Sequence, residues 1–129
     1  MDEPLSYLSR PLDDTYERQF KSDVCALTSS EGNFDLLKKY ITENEFIPDC
    51  RTYAFAACRG DIQTLNWLFE RFGNICLRAR IENQIFYERL IWKYALLSRE
   101  SNRAAVLRWL RERHFRWDDS VIETAITYD

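Results

Sequence analysis

The residues that could carry chemistry are few. There is one histidine, His114, and it is flanked by Arg113 and Arg116. Any Ser-His-Asp or Cys-His nucleophilic arrangement would have to use it. The neighbouring positive charges disfavour the protonated imidazole that general-base work passes through. Cys25, Cys50, Cys58 and Cys76 contain no C-x-x-C pair, and all four lie far along the chain from His114. A zinc site with two cysteines and two histidines is therefore impossible, and a four-cysteine site would lack the close pairing that closes small chelate loops. The expectation is four reduced thiols, with Cys25 and Cys58, beside alanines in apolar runs, acting as small buried residues. The paired carboxylates Asp13-Asp14 and Asp118-Asp119 sit where helices should start, so capping explains them better than acid–base or metal chemistry. Gly60-Asp61 lacks the further glycines and the lysine of a phosphate loop, and neither a dinucleotide glycine fingerprint nor H-E-x-x-H is present. The sequence predicts no enzyme, with no catalytic residue, cofactor or metal ligand to name.

One cluster remains that could bind. Arg103, Arg108, Arg111, Arg113 and Arg116 are interleaved with Trp109, Phe115 and Trp117. Arginine with aromatic rings suits bidentate and stacked contacts to a protein, or phosphate tracking with base stacking. The isoelectric point near 5.3 and the nearby Glu100, Glu112, Asp118 and Asp119 argue against nucleic acid as the partner. Charge is unevenly spread: residues 1–50 hold five Lys/Arg against eleven Asp/Glu, whereas 78–116 hold ten against four. Such halves can complement each other within one fold or between two copies. No apolar run approaches the roughly 20 residues a membrane span needs, and Met1-Asp2-Glu3-Pro4 is acidic where a secretory leader would be basic. The expectation is a soluble intracellular protein, cytoplasmic or nuclear, with no membrane partner.

The elements that must position this cluster read as helices. Three glycines and three prolines in 129 residues leave little material for tight β-turns. Residues 1–14, with Pro4 and Pro11, read as an extended arm whose Tyr7 and Leu8 either cap the first helix pair or form a docking motif. A helix follows from Thr15 to about Ser29. Gly32-Asn33, Pro48-Asp49, Gly60-Asp61, Gly73-Asn74 and Trp117-Asp118-Asp119 then mark breaks or caps. Between them apolar residues follow helical spacing, as in Leu37, Tyr40 and Ile41, or Leu65, Leu68 and Phe69, or Val106, Leu107 and Leu110. Residues 81–99 give the longest helical signal, with Ile81, Ile85, Phe86, Leu90, Tyr94 and Leu97 forming one stripe. Six to eight helices and no sheet are predicted.

Three segments also resemble one another. Aligned from Gly32, Gly60 and Asn102, the first position takes residues that tolerate left-handed backbone. The sixth is Leu37, Leu65 and Leu107, and the ninth is Tyr40, Leu68 and Leu110. Small-residue helices, Val24-Cys25-Ala26-Leu27 and Ala54-Phe55-Ala56-Ala57-Cys58, precede the first two units. Neither helix of such a pair can bury its apolar stripe alone, so successive pairs stack.

The pattern resembles the ankyrin repeat, and more closely the divergent ankyrin-like arrays of large DNA viruses of amoebae and of oomycetes and algae. Residues 102–118 read N-R-A-A-V-L-R-W-L-R-E-R-H-F-R-W-D. Val106, Leu107, Trp109, Leu110, Arg111, Glu112, Trp117 and Asp118 match that family's G-H-L-E-V-L-K-W-L-R-E-N-G-C-P-W-D in place. The family's glycine falls at His114. Gly60, Leu65, Trp67 and Leu68 match in a second unit, and Gly32, Leu36, Leu37, Pro48 and Asp49 in a first. The resemblance implies an all-α, short ankyrin-like solenoid of stacked antiparallel helix pairs. It would be a single domain over 15–129, with units at about 24–48, 49–74 and 95–128 and an enlarged divergent segment at 75–100. The standard T-P-L-H signature is absent.

The expected function is non-enzymatic protein–protein interaction by surface complementarity. The expected partner-binding residues are Arg108, Arg111, Arg113, His114, Phe115 and Arg116, placed on the outer surface. The last helix, from Ser120, lacks the partner that would complete its unit, so Val121, Ile122, Ala125 and Ile126 are expected to form a homodimer interface. A viral origin would make a host-interaction or virion-associated role the expectation. A self-assembling structural protein is the alternative, and an Arg-mediated nucleic-acid binder the less favoured one.

Overall fold

In the computed structural model residues 14–117 are described. They form six α-helices, α1 (Asp14–Ser30), α2 (Phe34–Glu43), α3 (Cys50–Arg59), α4 (Ile62–Phe72), α5 (Ile81–Leu96) and α6 (Glu100–Glu112). A 3-10 turn, Ile75–Arg78, precedes α5, and no strand occurs among the described residues. The fold is all-α. Of the arm expected over 1–14 only Asp14 is described, and it begins α1 rather than ending an extended segment; residues 1–13 and the C-terminal helix carrying Val121, Ile122, Ala125 and Ile126 lie outside the described residues.

Four of the five predicted punctuation marks are caps, and Asp118-Asp119 of the fifth lie outside the described residues. Side chains of Asn33, Asp49, Asp61 and Asn74 accept the backbone N–H groups of Leu36, Arg51, Thr64 and Cys76 at 3.0–3.1 Å. Each satisfies a donor that a helix start leaves orphaned. At the other ends, Gly32 and Gly60 take left-handed φ of 74° and 72°. The N–H groups that follow them turn back, Asn33 to the Thr28 carbonyl and Asp61 to the Ala56 carbonyl, as a Schellman stop requires. The two glycines are not equivalent. A Cβ on Gly60 would stand 2.5 Å from the Asn102 Cβ, whereas on Gly32 it would meet only the movable guanidinium of Arg59.

α3 packs between α1 and α5, and each even-numbered helix packs on the helix before it. The reason is side-chain size. Ala54, Ala56 and Ala57 are fully buried on α3, and such short side chains let neighbouring helix axes approach closely. Polar ties reinforce the contacts: Ser29 donates to the Thr52 carbonyl at 2.8 Å. The Tyr53 hydroxyl lies within hydrogen-bond distance of the Leu68 and Gly73 carbonyls, at 3.0 and 2.8 Å. Leu37, Leu65, Leu68, Ile91, Val106 and Leu110 complete the core at full burial, each contributing about 1.5–3 kcal/mol of transfer free energy.

Two expectations are corrected. The expected α5 stripe is not the buried face. Ile81 is 84% exposed, and Phe86 and Leu97 are exposed too, while Glu88, Ile91, Trp92, Ala95 and Leu96 are buried. A carboxylate at the centre of the packed face breaks the apolar periodicity there. Asn102 is also not left-handed. It lies inside the first turn of α6, which starts at Glu100 and so begins earlier in the alignment than α2 and α4.

Candidate functional site

The arginine cluster divides by what each side chain touches. Arg108 and Arg111, three residues apart on α6, are exposed. His114 is exposed as well and takes a left-handed φ of 62°, the conformation the missing glycine would supply. The other three expected contact residues are engaged within the molecule. The Arg113 guanidinium lies 4.4 Å from the Trp109 ring centroid, and donates to Asn66 Oδ1 at 3.1 Å. The Arg116 Nε is 2.6 Å from Glu88 Oε1. Phe115, expected on the outer surface, is in the core at 2% exposure. The cause is a third Schellman-type stop: Phe115 N–H reaches the Leu110 carbonyl and His114 N–H the Arg111 carbonyl. That turns the next side chain inward, onto Phe69 and Trp109 at centroid distances of 6.1 and 5.8 Å.

The tryptophans at one aligned position join neighbouring even-numbered helices. Trp67 of α4 meets Phe34 of α2 edge-on at 6.2 Å. Trp109 of α6 meets Phe69 of α4 edge-on at 5.6 Å, and its indole N–H donates to Asn66 Oδ1 at 2.7 Å. Such ring pairs add about 0.5–1.5 kcal/mol beyond their area.

Glu88 is the one buried carboxylate among the described residues, at 1% exposure. It accepts from the Arg116 backbone N–H at 2.9 Å, from Arg116 Nε at 2.6 Å and from Asn74 Nδ2 at 3.1 Å. Beside it the Trp92 indole donates to the Phe115 carbonyl at 3.1 Å. These bonds strap 115–117 to α5.

A groove of about 680 Å³ opens elsewhere, between α1, the start of α3, the 3-10 turn and Tyr87 of α5. Its apolar lining is Ile47, Pro48, Ile75, Ala79 and Tyr87. Three arginines border it. Arg51 is 2.8 Å from both Asp23 and Asp49, and the hydrogen bond to Asp49, ahead of the Asp23 bond, holds its guanidinium more firmly protonated. The same arginine, with Gln19, holds the Asp23 carboxyl below its ordinary range. Arg18 and Arg78 are exposed and have no carboxylate partner among the described residues. Sequence reading passed over this groove because its residues come from four separate segments; the nearest signal was the basic excess beginning at Arg78.

Two of the four thiols are shifted upward. Burial pushes the Cys25 thiol up to about 12, with the Asp49 charge adding to it. The Cys76 thiol is raised by its contact with Cys50 and by burial. Cys50 is buried and Cys58 half-buried. No group of three metal-capable side chains occurs among the described residues, and no helix there is long and apolar enough to cross a membrane. No protein-family model matches the chain, and no curated protein or solved structure is significantly similar to it.

Proposed function

We propose that the chain is a non-enzymatic protein–protein interaction module of ankyrin-like type, built from stacked antiparallel helix pairs. The supporting observation is the repeated cross-helix contact. Trp67 and Trp109, at one aligned position, each reach the preceding even-numbered helix, while the odd-numbered helices α1, α3 and α5 lie side by side. A stack coupled in this way holds surface groups in fixed relation, and complementarity then needs little ordering on binding. Arg108, Arg111 and His114 are the exposed remainder of the expected contact face. Internal use of Arg113 and Arg116, with Trp109 and Phe115 buried, weakens the nucleic-acid alternative, because of the three rings named for base stacking only Trp117 is exposed.

Self-association through Val121, Ile122, Ala125 and Ile126 remains part of the proposal, as does a host-interaction or virion-associated role in the cytoplasm or nucleus if the chain is viral. Affinity capture with the native chain and with the Arg108→Glu/Arg111→Glu variant tests the face. Loss of captured proteins at unchanged helicity is expected. An identical captured set would reject this face, and capture of the chain alone would favour the self-assembling structural reading.

A further inference from the structure

We propose that the groove between α1, the start of α3 and the 3-10 turn docks an extended peptide of a partner protein, with carboxylates flanking a short apolar run. It lies apart from Arg108, Arg111 and His114, so it stands or falls independently of that face.

Charge distribution carries the inference. Arg18, on α1, and Arg78, on the 3-10 turn, border the groove without a carboxylate partner among the described residues. Arg78 only overlies the Phe72 ring, at 5.6 Å. Arg51 contributes no free charge, since Asp23 and Asp49 already hold it. The groove is therefore bordered by two arginines on different elements that have no carboxylate partner among the described residues, beside an Arg51 already paired with Asp23 and Asp49. A compact polyanion such as a polyphosphate could meet the two arginines but would leave the apolar lining of Ile47, Ile75, Ala79 and Tyr87 uncovered. An extended peptide places its charges apart and its apolar side chains between them, over Ile47, Ile75, Ala79 and Tyr87. The volume of about 680 Å³ lies within the range of formed ligand sites, about 300–1,000 Å³. Rim arginines of this kind steer an acidic partner and fix its register, while the apolar floor contributes burial.

The test uses the full chain and the synthetic peptide acetyl-Glu-Glu-Leu-Tyr-Leu-Glu-Glu-amide, followed by heteronuclear NMR. Shifts confined to Ile47, Ile75, Ala79, Tyr87 and their neighbours are expected. The Arg18→Glu/Arg78→Glu variant should bind at least about tenfold more weakly. The milder single variants Arg18→Gln and Arg78→Gln should each lose about threefold, and they keep the test valid if the double variant misfolds. The Arg108→Glu/Arg111→Glu variant should bind the peptide like the native chain. Absence of shifts at about 1 mM peptide, equal binding of the version with lysine in place of glutamate, or stronger binding of inorganic pyrophosphate at the same residues would each overturn the proposal. So would binding that emerges only in the Asp2→Lys/Glu3→Lys full chain, since the groove would then belong to the chain's own N-terminal segment.

Discussion

Arg116 is a surface residue whose loss should destabilise the core. Its side chain is 51% exposed, while that of its partner, Glu88, is 1% exposed. Removing one member of a buried ion pair costs about 3–5 kcal/mol when the other is left charged and uncompensated. In Arg116→Ala, Glu88 keeps two donors, Asn74 Nδ2 and the residue-116 backbone N–H, and water gains partial access. The expected cost is thus about 2–3 kcal/mol. Glu88→Gln removes the buried charge itself, keeps an acceptor oxygen, and leaves Arg116 free to turn toward water. Its expected cost is only about 1 kcal/mol. The surface substitution should therefore be the more damaging of the two. The double variant should cost less than the sum by about 1 kcal/mol or more, because the stranded charge is gone. Urea unfolding followed by tryptophan fluorescence and circular dichroism measures all three, and each kcal/mol corresponds to about 3–6 °C in Tm for a domain of this size. Arg116→Ala within about 0.5 kcal/mol of Arg108→Ala, an ordinary surface change, would refute the reasoning.

Other consequences are equally local. Gly60→Ala should cost about 2 kcal/mol or more, because it combines a left-handed backbone with a collision at Asn102. Gly32→Ala, which displaces only the end of Arg59, should cost about 1 kcal/mol; equal values by thermal unfolding would contradict the stacked geometry. His114→Gly should stabilise by about 0.5–1 kcal/mol, since glycine adopts its φ of 62° without strain, and a loss would show that the imidazole makes a needed contact. Arg51 and Gln19 hold Asp23 below its usual value of 3.8. The pair's contribution is therefore present above the unfolded pKa and lost as pH falls through the lower folded one. Arg51→Gln should flatten that part of the stability profile below about pH 4, and an unchanged acid limb would rule the pair out as its source.

How much of this was legible in the sequence depends on locality. Asn33, Asp49, Asp61 and Asn74 were readable as caps because a cap is decided within four residues. Gly32 and Gly60 were readable as stops for the same reason. The helical class followed from spacing such as Leu65, Leu68 and Phe69. The α5 face was misread because Glu88 occupies its centre, and only a partner far along the chain, Arg116, makes that burial tolerable. Phe115 was misplaced although a local signal existed: the residue after a left-handed stop usually turns inward, and His114 hid the stop by standing where glycine was expected. Arg113 could not be assigned from sequence, because its position over Trp109 and its bond to Asn66 depend on α4 and α6 lying side by side. The groove was unreadable for the same reason, being assembled from residues as distant as Arg18 and Tyr87.

Association rather than chemistry is the proposed mode of action, and the molar mass of the full chain in solution tests it most directly. Size-exclusion chromatography with light scattering, at low salt and at about 0.5 M, where surface ion pairs are screened, should give about 31 kDa, twice the 15.5 kDa of one chain. The Ile122→Glu/Ile126→Glu variant should then return a folded species of one-chain mass. A native mass of 15.5 kDa at both salts would contradict self-association through Val121, Ile122, Ala125 and Ile126.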